Sequence, residues 1–297
     1  MRRFGWGTKA TWRISSVNSL CEPAVRRSAA DIARCAARAL TEELETHPKP
    51  GLVSFVDCGS HPDMDAECFL DSIAAIEPFF AQLAEAGAAA RRLAELQRIG
   101  IAAEERMLAA TGGRNTHRGA IYCLGLLAAA AGRQNMESSV ASHSLGRIVE
   151  EQWGEEISLP MDLPPASHGL EMCHRHKLNG VRGEARRGFP SVYDAGLPAF
   201  AEALGAVGRA EARVQAFFSL LAVCEDTTIL KRGGPEGWIF ARAQARDFLR
   251  QGGVKSTGWK RLAQAIHRAF VSRNLTAGGT ADLLAATLFI HELRQQR

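Results

Sequence analysis

The chain has 297 residues, of which 46% are hydrophobic and 23% are charged, and this composition is typical of a folded globular protein rather than a disordered chain. Basic residues exceed acidic ones by a formal charge of +4, and residues 1–20 account for that excess because they contain Arg2, Arg3, Lys9 and Arg13 but no acid. The formally neutral remainder argues against a general nucleic-acid-binding protein, and the lack of any run of about 18 uncharged apolar residues argues against a membrane span.

The first 20 residues are interpreted as a basic, flexible tail, although their lack of acids also resembles a transit peptide. Residues 21–297 are interpreted as one folded domain. The seven cysteines are scattered and include no CxxC pair, which favours reduced thiols and a cytoplasmic location.

Apolar residues three and four positions apart, in stretches rich in alanine and leucine, predict helices along most of the chain. Period-two alternation is almost absent, and Leu52 to Val56 is the best candidate for a strand. The pattern therefore predicts an all-α fold, a single multi-helix bundle domain. The predicted helices are Ala29 to Leu44, one after Asp65 through Phe80, Leu93 to Ala110, Gly119 to Ala131, Ser142 to Glu151, Ser167 to Lys177, Pro198 to Cys224, Glu236 to Arg250, Gly258 to Val271 and Thr280 to Leu293.

The segment after the first predicted helix is rich in proline, histidine and charge. Two prolines flank Lys49 and fix an extended path, so they either display its ammonium group from a stiff backbone or form a rigid surface turn. Further on, His61, Asp63 and Asp65 precede the next predicted helix. One aspartate is explained by helix capping, and the three together also fit the ligands of a divalent cation.

A second glycine-rich segment, Thr111 to Gly119, joins two predicted helices. Its glycines allow close approach of the backbone to a ligand, and helix-terminal amides beside Arg114 and Arg118 predict a phosphate site. The alternative is a glycine-terminated helix followed by a polar turn.

Three further segments between predicted helices have a similar composition: Asn179 to Pro190, Asp226 to Gly234 and Arg273 to Asp282. Because helix ends converge at one side of a bundle, these segments predict one interhelical pocket for a polyanion. Zinc ligation by His174, His176 and Cys173 is disfavoured by the spacing, and no G-x-S-x-G motif supports a serine hydrolase.

Taken in order, these motifs resemble the ATP:dephospho-CoA triphosphoribosyltransferases over roughly residues 25–295. Arg114 and Cys58 depart from the usual residues of that family. The strings that carry the resemblance are PKPGLV from Pro48, GSHPDMD from Gly59, Gly100-Ile101 with Glu104 and Met107, ATGG from Ala110, NTHRGAI from Asn115, SHG from Ser167, RGEA from Arg182, GFPSV from Gly188, DTT from Asp226, RGG from Arg232 and GGTADLLA from Gly278.

The resemblance implies that ATP and 3′-dephospho-CoA give 2′-(5″-triphosphoribosyl)-3′-dephospho-CoA and adenine. The product is the precursor of a prosthetic group, which a holo-synthase attaches to an acyl-carrier subunit. The strings from Lys49 to Ser54 and from Ser167 to Gly169 look more like the malonate decarboxylase branch than the citrate lyase branch. The bundle is therefore expected to hold a nucleotide pocket.

Cleavage of the N-glycosidic bond builds positive charge on the ribose, so the resemblance implies carboxylates beside it and groups that move a proton. Asp63 or Asp65 is expected to be the base or the charge stabiliser, with His117 as an alternative proton carrier. Mg²⁺ is expected to bridge the phosphates to Glu104 and Asp226, although Glu104 alone also fits a solvated helix acid. The expected substrate-binding residues are Lys49, Gly51, His61, Gly112, Gly113, Asn115, Thr116, Arg118, Arg182, Glu184, Lys231, Arg232, Gly233, Asn274, Gly278 and Gly279.

Two other functions stay open from the sequence. A Mg²⁺-dependent helical hydrolase would cleave the same bond of a nucleotide or ADP-ribose with water, and a helical adaptor would use the basic loops to bind a partner protein. Alanine-rich apolar helices permit a homodimer without requiring one.

Overall fold

The computed structural model describes residues 27–158, 172–173 and 178–295, and in these ranges the chain forms eleven α-helices and no strand. The prediction of an all-α fold is confirmed. The helices are α1 (Ala29–Glu45), α2 (Ala66–Ala88), α3 (Leu93–Ala110), α4 (Arg118–Met136), α5 (Leu145–Ser158), α6 (Gly180–Arg186), α7 (Leu197–Val207), α8 (Arg209–Leu221), α9 (Thr227–Arg250), α10 (Trp259–Ser272) and α11 (Gly278–Gln295).

Helices α4 and α11 form the centre of the bundle. Helix α4 packs against α1, α2, α3, α5 and α11, and α11 also packs against α1, α8 and α9. The run from Ala128 to Ala131 is buried on every side of α4, as expected for a helix that neighbours surround completely. The two central helices begin at the same end of the bundle. Both of their N-termini therefore lie near the loops that contain the sequence motifs.

Three expectations about secondary structure are wrong. Leu52 to Val56 is an irregular loop in which Leu52 and Val53 are buried, whereas Phe55 and Val56 are exposed. The expected helix from Pro198 to Cys224 is broken at Gly208 into α7 and α8. The segment from Asp226 to Gly234 is mostly the first turns of α9, which Asp226 caps and which kinks at Gly234.

Helix α6 lies within the segment 179–190, for which the composition predicted a connection between helices. The helix expected from Ser167 to Lys177 falls almost entirely outside the described residues, as do residues 1–20 and the SHG string.

No helix in the described part of the chain has both the length and the apolar character of a membrane span. The six cysteines that the structure describes are free thiols.

Candidate active site

A cavity lies where α4, α9 and α11 begin and where α1 ends. Its walls include the first turns of α4 and α11, the start of α9 at Thr228, and the loop that follows α1. Helix N-termini carry partial positive charge, which favours an anionic ligand where no protein carboxylate already caps them. The polar residues and glycines in the lining are Glu43, Lys49, His61, Asn115, Thr116, His117, Arg118, Gly119, Thr228, Thr276, Gly278 and Asp282.

Seven residues that the sequence assigned to the site are among those lining residues, although they come from four separate motifs. They are Lys49, His61, Asn115, Thr116, His117, Arg118 and Gly278. Convergence of helix ends explains why segments more than 200 residues apart in the chain meet here.

Lys49 does line the cavity but is not displayed on the surface. Its side chain is 1% exposed, and its Nζ donates to the Glu43 carbonyl oxygen at 2.8 Å and forms an ion pair with the Glu43 carboxylate. Burial lowers the pKa of Lys49, while the carboxylate of Glu43 opposes this effect. Glu43, 4% exposed, was missed because a single acid in an amphipathic helix normally faces solvent.

His117 belongs to a chain of hydrogen bonds in the cavity wall. The Thr116 hydroxyl donates to Ser72 Oγ at 2.7 Å, and Ser72 Oγ lies 2.7 Å from His117 Nδ1. When Ser72 donates to Nδ1, the neutral ring carries its proton on Nε2, and this buried nitrogen has no hydrogen-bond partner. Burial, with a smaller effect of Lys49, lowers the pKa of His117 to about 3.

His61 connects two loops at the cavity. Its Nδ1 accepts a hydrogen bond from Arg232 Nη2 at 3.2 Å, so the Nε2–H donates to Thr276 Oγ1 at 2.8 Å. Arg232 also donates to the Ser60 carbonyl oxygen and to Asn274 Oδ1. Burial, and then the neighbouring guanidinium, lowers the pKa of His61 to about 4. Arg232 and Asn274 therefore hold the loop that carries His61 and do not themselves line the cavity.

Gly51 lets this same loop dock on the turn between α10 and α11. Its φ of +70° lies in the left-handed region, and a Cβ atom there would lie 2.1 Å from the Leu275 carbonyl oxygen. The Ser60 hydroxyl donates to that oxygen at 2.7 Å. Gly51 thus shapes the cavity without lining it.

Both carboxylate oxygens of Asp226 accept hydrogen bonds from other groups of the protein. One oxygen accepts from the amides of Thr228 and Ile229 at the start of α9 and from the Thr228 hydroxyl, and the other accepts from the amide and hydroxyl of Thr280, both at 2.8 Å. Thr228 Oγ1 in turn accepts from Gly278 N at 2.9 Å and lies 3.4 Å from Gly279 N. These contacts account for Asp226 as a shared helix cap.

Arg118 lies at the start of α4, and its Nε donates to Glu104 Oε2 at 2.8 Å. The side chain of Arg118 is 40% exposed, so part of the guanidinium stays accessible for a ligand. In the described part of the chain, no group of three or more histidine, cysteine, aspartate or glutamate side chains has a metal-binding arrangement. Metal ligation by Glu104 and Asp226 stays a prediction.

Asp63 and Asp65 are exposed and are not among the residues that line the cavity. Asp65 caps α2 by accepting from Cys68 N at 2.9 Å, which is the capping role that the sequence offered for one aspartate. Their catalytic assignment is not tested by this geometry.

The remaining expected residues lie outside the cavity lining. Gly112 and Gly113 end α3, where Gly113 N donates to Leu108 O at 2.8 Å, and Gly233 packs closely against Leu275. Glu184 accepts two hydrogen bonds from Ser191, and Arg182 donates to the Ile157 carbonyl oxygen. Lys231 is exposed.

Asp282 lines the cavity but was not singled out as a site residue. The sequence contained one signal for it, because Asp282 lies four positions after Gly278 and therefore on the same side of α11. Without knowledge of the neighbouring helices, its environment was not predictable.

Comparison with known proteins gives a consistent result along the chain. Residues 29–297 match the model of the family described as CitG, ATP:dephospho-CoA triphosphoribosyl transferase. The chain is 37% identical to a probable 2-(5″-triphosphoribosyl)-3′-dephosphocoenzyme-A synthase of Azotobacter vinelandii, over 93% of this chain and 95% of that protein. It is 36% identical to the 2-(5″-triphosphoribosyl)-3′-dephosphocoenzyme-A synthase of Klebsiella pneumoniae, over 89% of this chain and 91% of that protein.

A probable synthase of the same kind from Acinetobacter calcoaceticus is 35% identical, over 86% of this chain and 90% of that protein. No solved structure matches the chain significantly. The family match spans every helix of the described bundle, and the cavity collects residues from the motifs that carried the resemblance. The chain therefore belongs to the ATP:dephospho-CoA triphosphoribosyl transferase family.

Proposed function

We propose that the protein transfers the triphosphoribosyl group of ATP to the 2′-hydroxyl of 3′-dephospho-CoA and releases adenine. The observation that carries this proposal is the convergence of the N-termini of α4, α9 and α11 on one cavity. Both substrates are polyanions, and the partly exposed Arg118 at the start of α4 favours an anionic group there, although the chain outside its first 20 residues is formally neutral and Asp226 caps the N-termini of α9 and α11.

The chemistry also needs negative charge beside the ribose. As the bond between C1′ and adenine breaks, positive charge develops on the sugar, and a fixed carboxylate stabilises it. The cavity has two carboxylates in its lining, Glu43 and Asp282. Glu43 is neutralised by Lys49, so this pair supplies little net charge.

Mg²⁺ is proposed to accompany ATP as a counter-ion of its triphosphate. Mg²⁺ commonly keeps several waters and binds through substrate phosphates and one or two carboxylates, so it does not require an all-protein cage. Asp226 fits such a role poorly because both its oxygens accept hydrogen bonds from the protein, and Glu104 is already paired with Arg118. The ion neutralises phosphate charge when bound.

Release of adenine separates transfer from hydrolysis. Purified protein is incubated with ATP and Mg²⁺, with or without dephospho-CoA, and adenine and acceptor mass are followed by chromatography and mass spectrometry. We expect adenine only when the acceptor is present, together with an acceptor heavier by one triphosphoribosyl group. Equal adenine release without the acceptor would instead identify a nucleotide hydrolase, and a protein that neither binds nor cleaves ATP would support the adaptor.

We further propose that the product serves malonate decarboxylase, after transfer by an acyl-carrier holo-synthase. The strings from Lys49 to Ser54 and from Ser167 to Gly169 support this branch. Inactivating the gene in its own host should leave the acyl-carrier subunit of malonate decarboxylase without its prosthetic group, as measured by intact mass. Loss from the citrate lyase subunit alone would assign the other branch.

A cytoplasmic location and a homodimer stay predictions. Light scattering of the purified protein checks whether it forms a homodimer.

A further inference from the structure

Asp282 lies in the first two turns of α11, and its carboxylate lies against the first turn of α4. A Cβ atom on Gly119 would be 1.9 Å from Asp282 Oδ2, so only glycine at this position leaves room for the carboxylate. The carboxylate accepts a hydrogen bond from the Ala120 backbone amide. It forms no ion pair with any arginine, lysine or histidine of the described residues, and it lines the cavity.

The charged and titratable groups around Asp282 come from every neighbouring element. Glu43 faces it from α1, where it is paired with Lys49, and Asp226 faces it from the start of α9. The Cys123 thiol of α4 lies within electrostatic range of Asp282. The cavity walls add three further groups: His61, His117 and Arg118.

Burial raises the pKa of Asp282 well above 3.8, and the carboxylates of Glu43 and Asp226 raise it further, while the Ala120 amide has the opposite effect. The environment therefore favours the neutral carboxyl group over the carboxylate. His117 differs, because burial lowers its pKa to about 3 and keeps its imidazole neutral. Of the two, Asp282 is the group whose environment favours the protonated form.

The reaction proposed above moves one proton and releases none. The 2′-hydroxyl of dephospho-CoA loses a proton as its oxygen bonds to C1′ of the ATP ribose, and adenine gains a proton as its nitrogen takes the electron pair of the broken bond to C1′. A single group that starts protonated, gives its proton to adenine and regains one from the hydroxyl satisfies this balance.

We propose, on the basis of that proposed function, that Asp282 is the catalytic carboxyl group that protonates the departing adenine and then accepts the proton of the 2′-hydroxyl. His117 Nε2, buried without a partner beside the same cavity, donates a fixed hydrogen bond to the bound substrates. Between the two proton transfers, the ionised Asp282 stabilises the charge on the ribose.

Two variants test this role by different routes. Asp282→Asn keeps the shape of the side chain and removes its proton, whereas Gly119→Ala leaves the carboxyl group ionisable and displaces it with a methyl group. We expect each to lower kcat for adenine release by roughly 10²–10⁴-fold, with the dissociation constant of ATP in isothermal titration changed less than about threefold. Asp194→Asn, at an exposed carboxylate, and Gly100→Ala, where a methyl group enters open space, are the matched controls and should retain wild-type turnover.

The pH profile separates a catalytic role from a structural one, because Asp282 also caps α4 through the Ala120 amide. In the wild type, kcat/KM should fall at high pH as Asp282 ionises, and this limb should be missing from the residual activity of Asp282→Asn. Thermal melts establish which variants are folded, and Gly119→Ala decides the question if Asp282→Asn does not fold.

Folded Asp282→Asn or Gly119→Ala with more than half of wild-type turnover would overturn the role of Asp282. A high-pH limb that persists in Asp282→Asn would do so as well. A wild-type enzyme that releases no adenine in the presence of dephospho-CoA would overturn the proposed function itself, so the two failures are distinguishable.

Discussion

The Asp226 carboxylate joins the N-termini of two helices that are distant in the chain. It is 1% exposed and accepts hydrogen bonds from the first turns of both α9 and α11. A charged acceptor that satisfies helix amides is stronger than a neutral one, and a buried donor left without a partner is costly. The side chain therefore fixes the relative position of two of the three helix ends at the cavity.

Asp226→Asn should lower the free energy of unfolding by about 2–4 kcal/mol, because the amide group keeps one acceptor and introduces a donor facing helix amides. Thermal denaturation should show a fall in Tm on the order of 10 °C. The matched control is Asp65→Asn, which alters an exposed cap of α2 and should cost about 1 kcal/mol or less. Equal losses in the two variants would contradict the shared-cap interpretation.

His117 should make stability depend on pH. Its pKa is about 3 in the folded protein and near 6.5 in the unfolded chain, so between these values the unfolded state binds more protons. The contribution of His117 is therefore complete above pH 6.5 and is lost as pH falls toward 3, at up to about 1.4 kcal/mol per pH unit.

Replacing His117 with Gln should flatten this dependence. Urea denaturation at pH 7, 6 and 5 measures it, and the gap in unfolding free energy between wild type and His117→Gln should shrink as the pH falls. A constant gap would show that the imidazole is not titrating as the burial requires.

Helices and loops contribute differently to the cavity. The helices supply rigid N-termini, whereas the loop from His47 to His61 closes the cavity by docking on the turn before α11. That docking depends on direct backbone contact at Leu275, on the Ser60 hydroxyl and on the Arg232 guanidinium. A change at the loop should therefore act on the position of Lys49 and His61 together.

Gly51→Ala tests this dependence. The methyl group would collide with the Leu275 carbonyl oxygen in a backbone conformation that disfavours alanine, so we expect a loss of about 1–3 kcal/mol in stability and at least tenfold weaker ATP binding. Thermal melts and isothermal titration measure the two effects. Gly100→Ala serves as the control, and unchanged ATP affinity in a folded Gly51→Ala protein would show that the loop does not shape the nucleotide site.

Periodicity was sufficient to predict most helices, because their apolar faces repeat at the helical spacing. It failed at Asp226, where a cap followed by two threonines and two glycines has the composition of a loop although the threonines begin α9. Motif composition predicted His61, His117 and Arg118 in the cavity lining. Glu43 and Asp282 were missed because a lone acid in a helix is normally solvated, and only the packing of α1, α4 and α11 shows that they face the cavity.

In the molecule as a whole, positive electrostatic potential comes from local features rather than from an excess of basic residues. The chain outside residues 1–20 is formally neutral, yet three helix N-termini and Arg118 meet at one end of the bundle. A field built from helix ends and a few side chains acts over short distances, so we expect it to favour an anionic ligand in the cavity without attracting polyanions to the entire surface.

Removal of residues 1–20 should leave turnover within about twofold of the full-length protein, since the family match begins at residue 29 and the cavity lining begins at Leu40. Steady-state adenine release by the full and shortened proteins measures this, with circular dichroism as the check on folding. A folded, shortened protein with little activity would give the basic segment a part in catalysis.

The cavity takes its lining from Leu40 near one end of the described chain and from Ala285 near the other. During synthesis α1 and α4 therefore leave the ribosome well before Asp282, and the cavity is complete only after α11 has docked. A chain that terminates before α11 lacks Asp282 and the other α11 residues of the lining, and it also lacks one of the two central helices of the bundle. Docking of α11 therefore completes the core of the bundle and the lining of the cavity together.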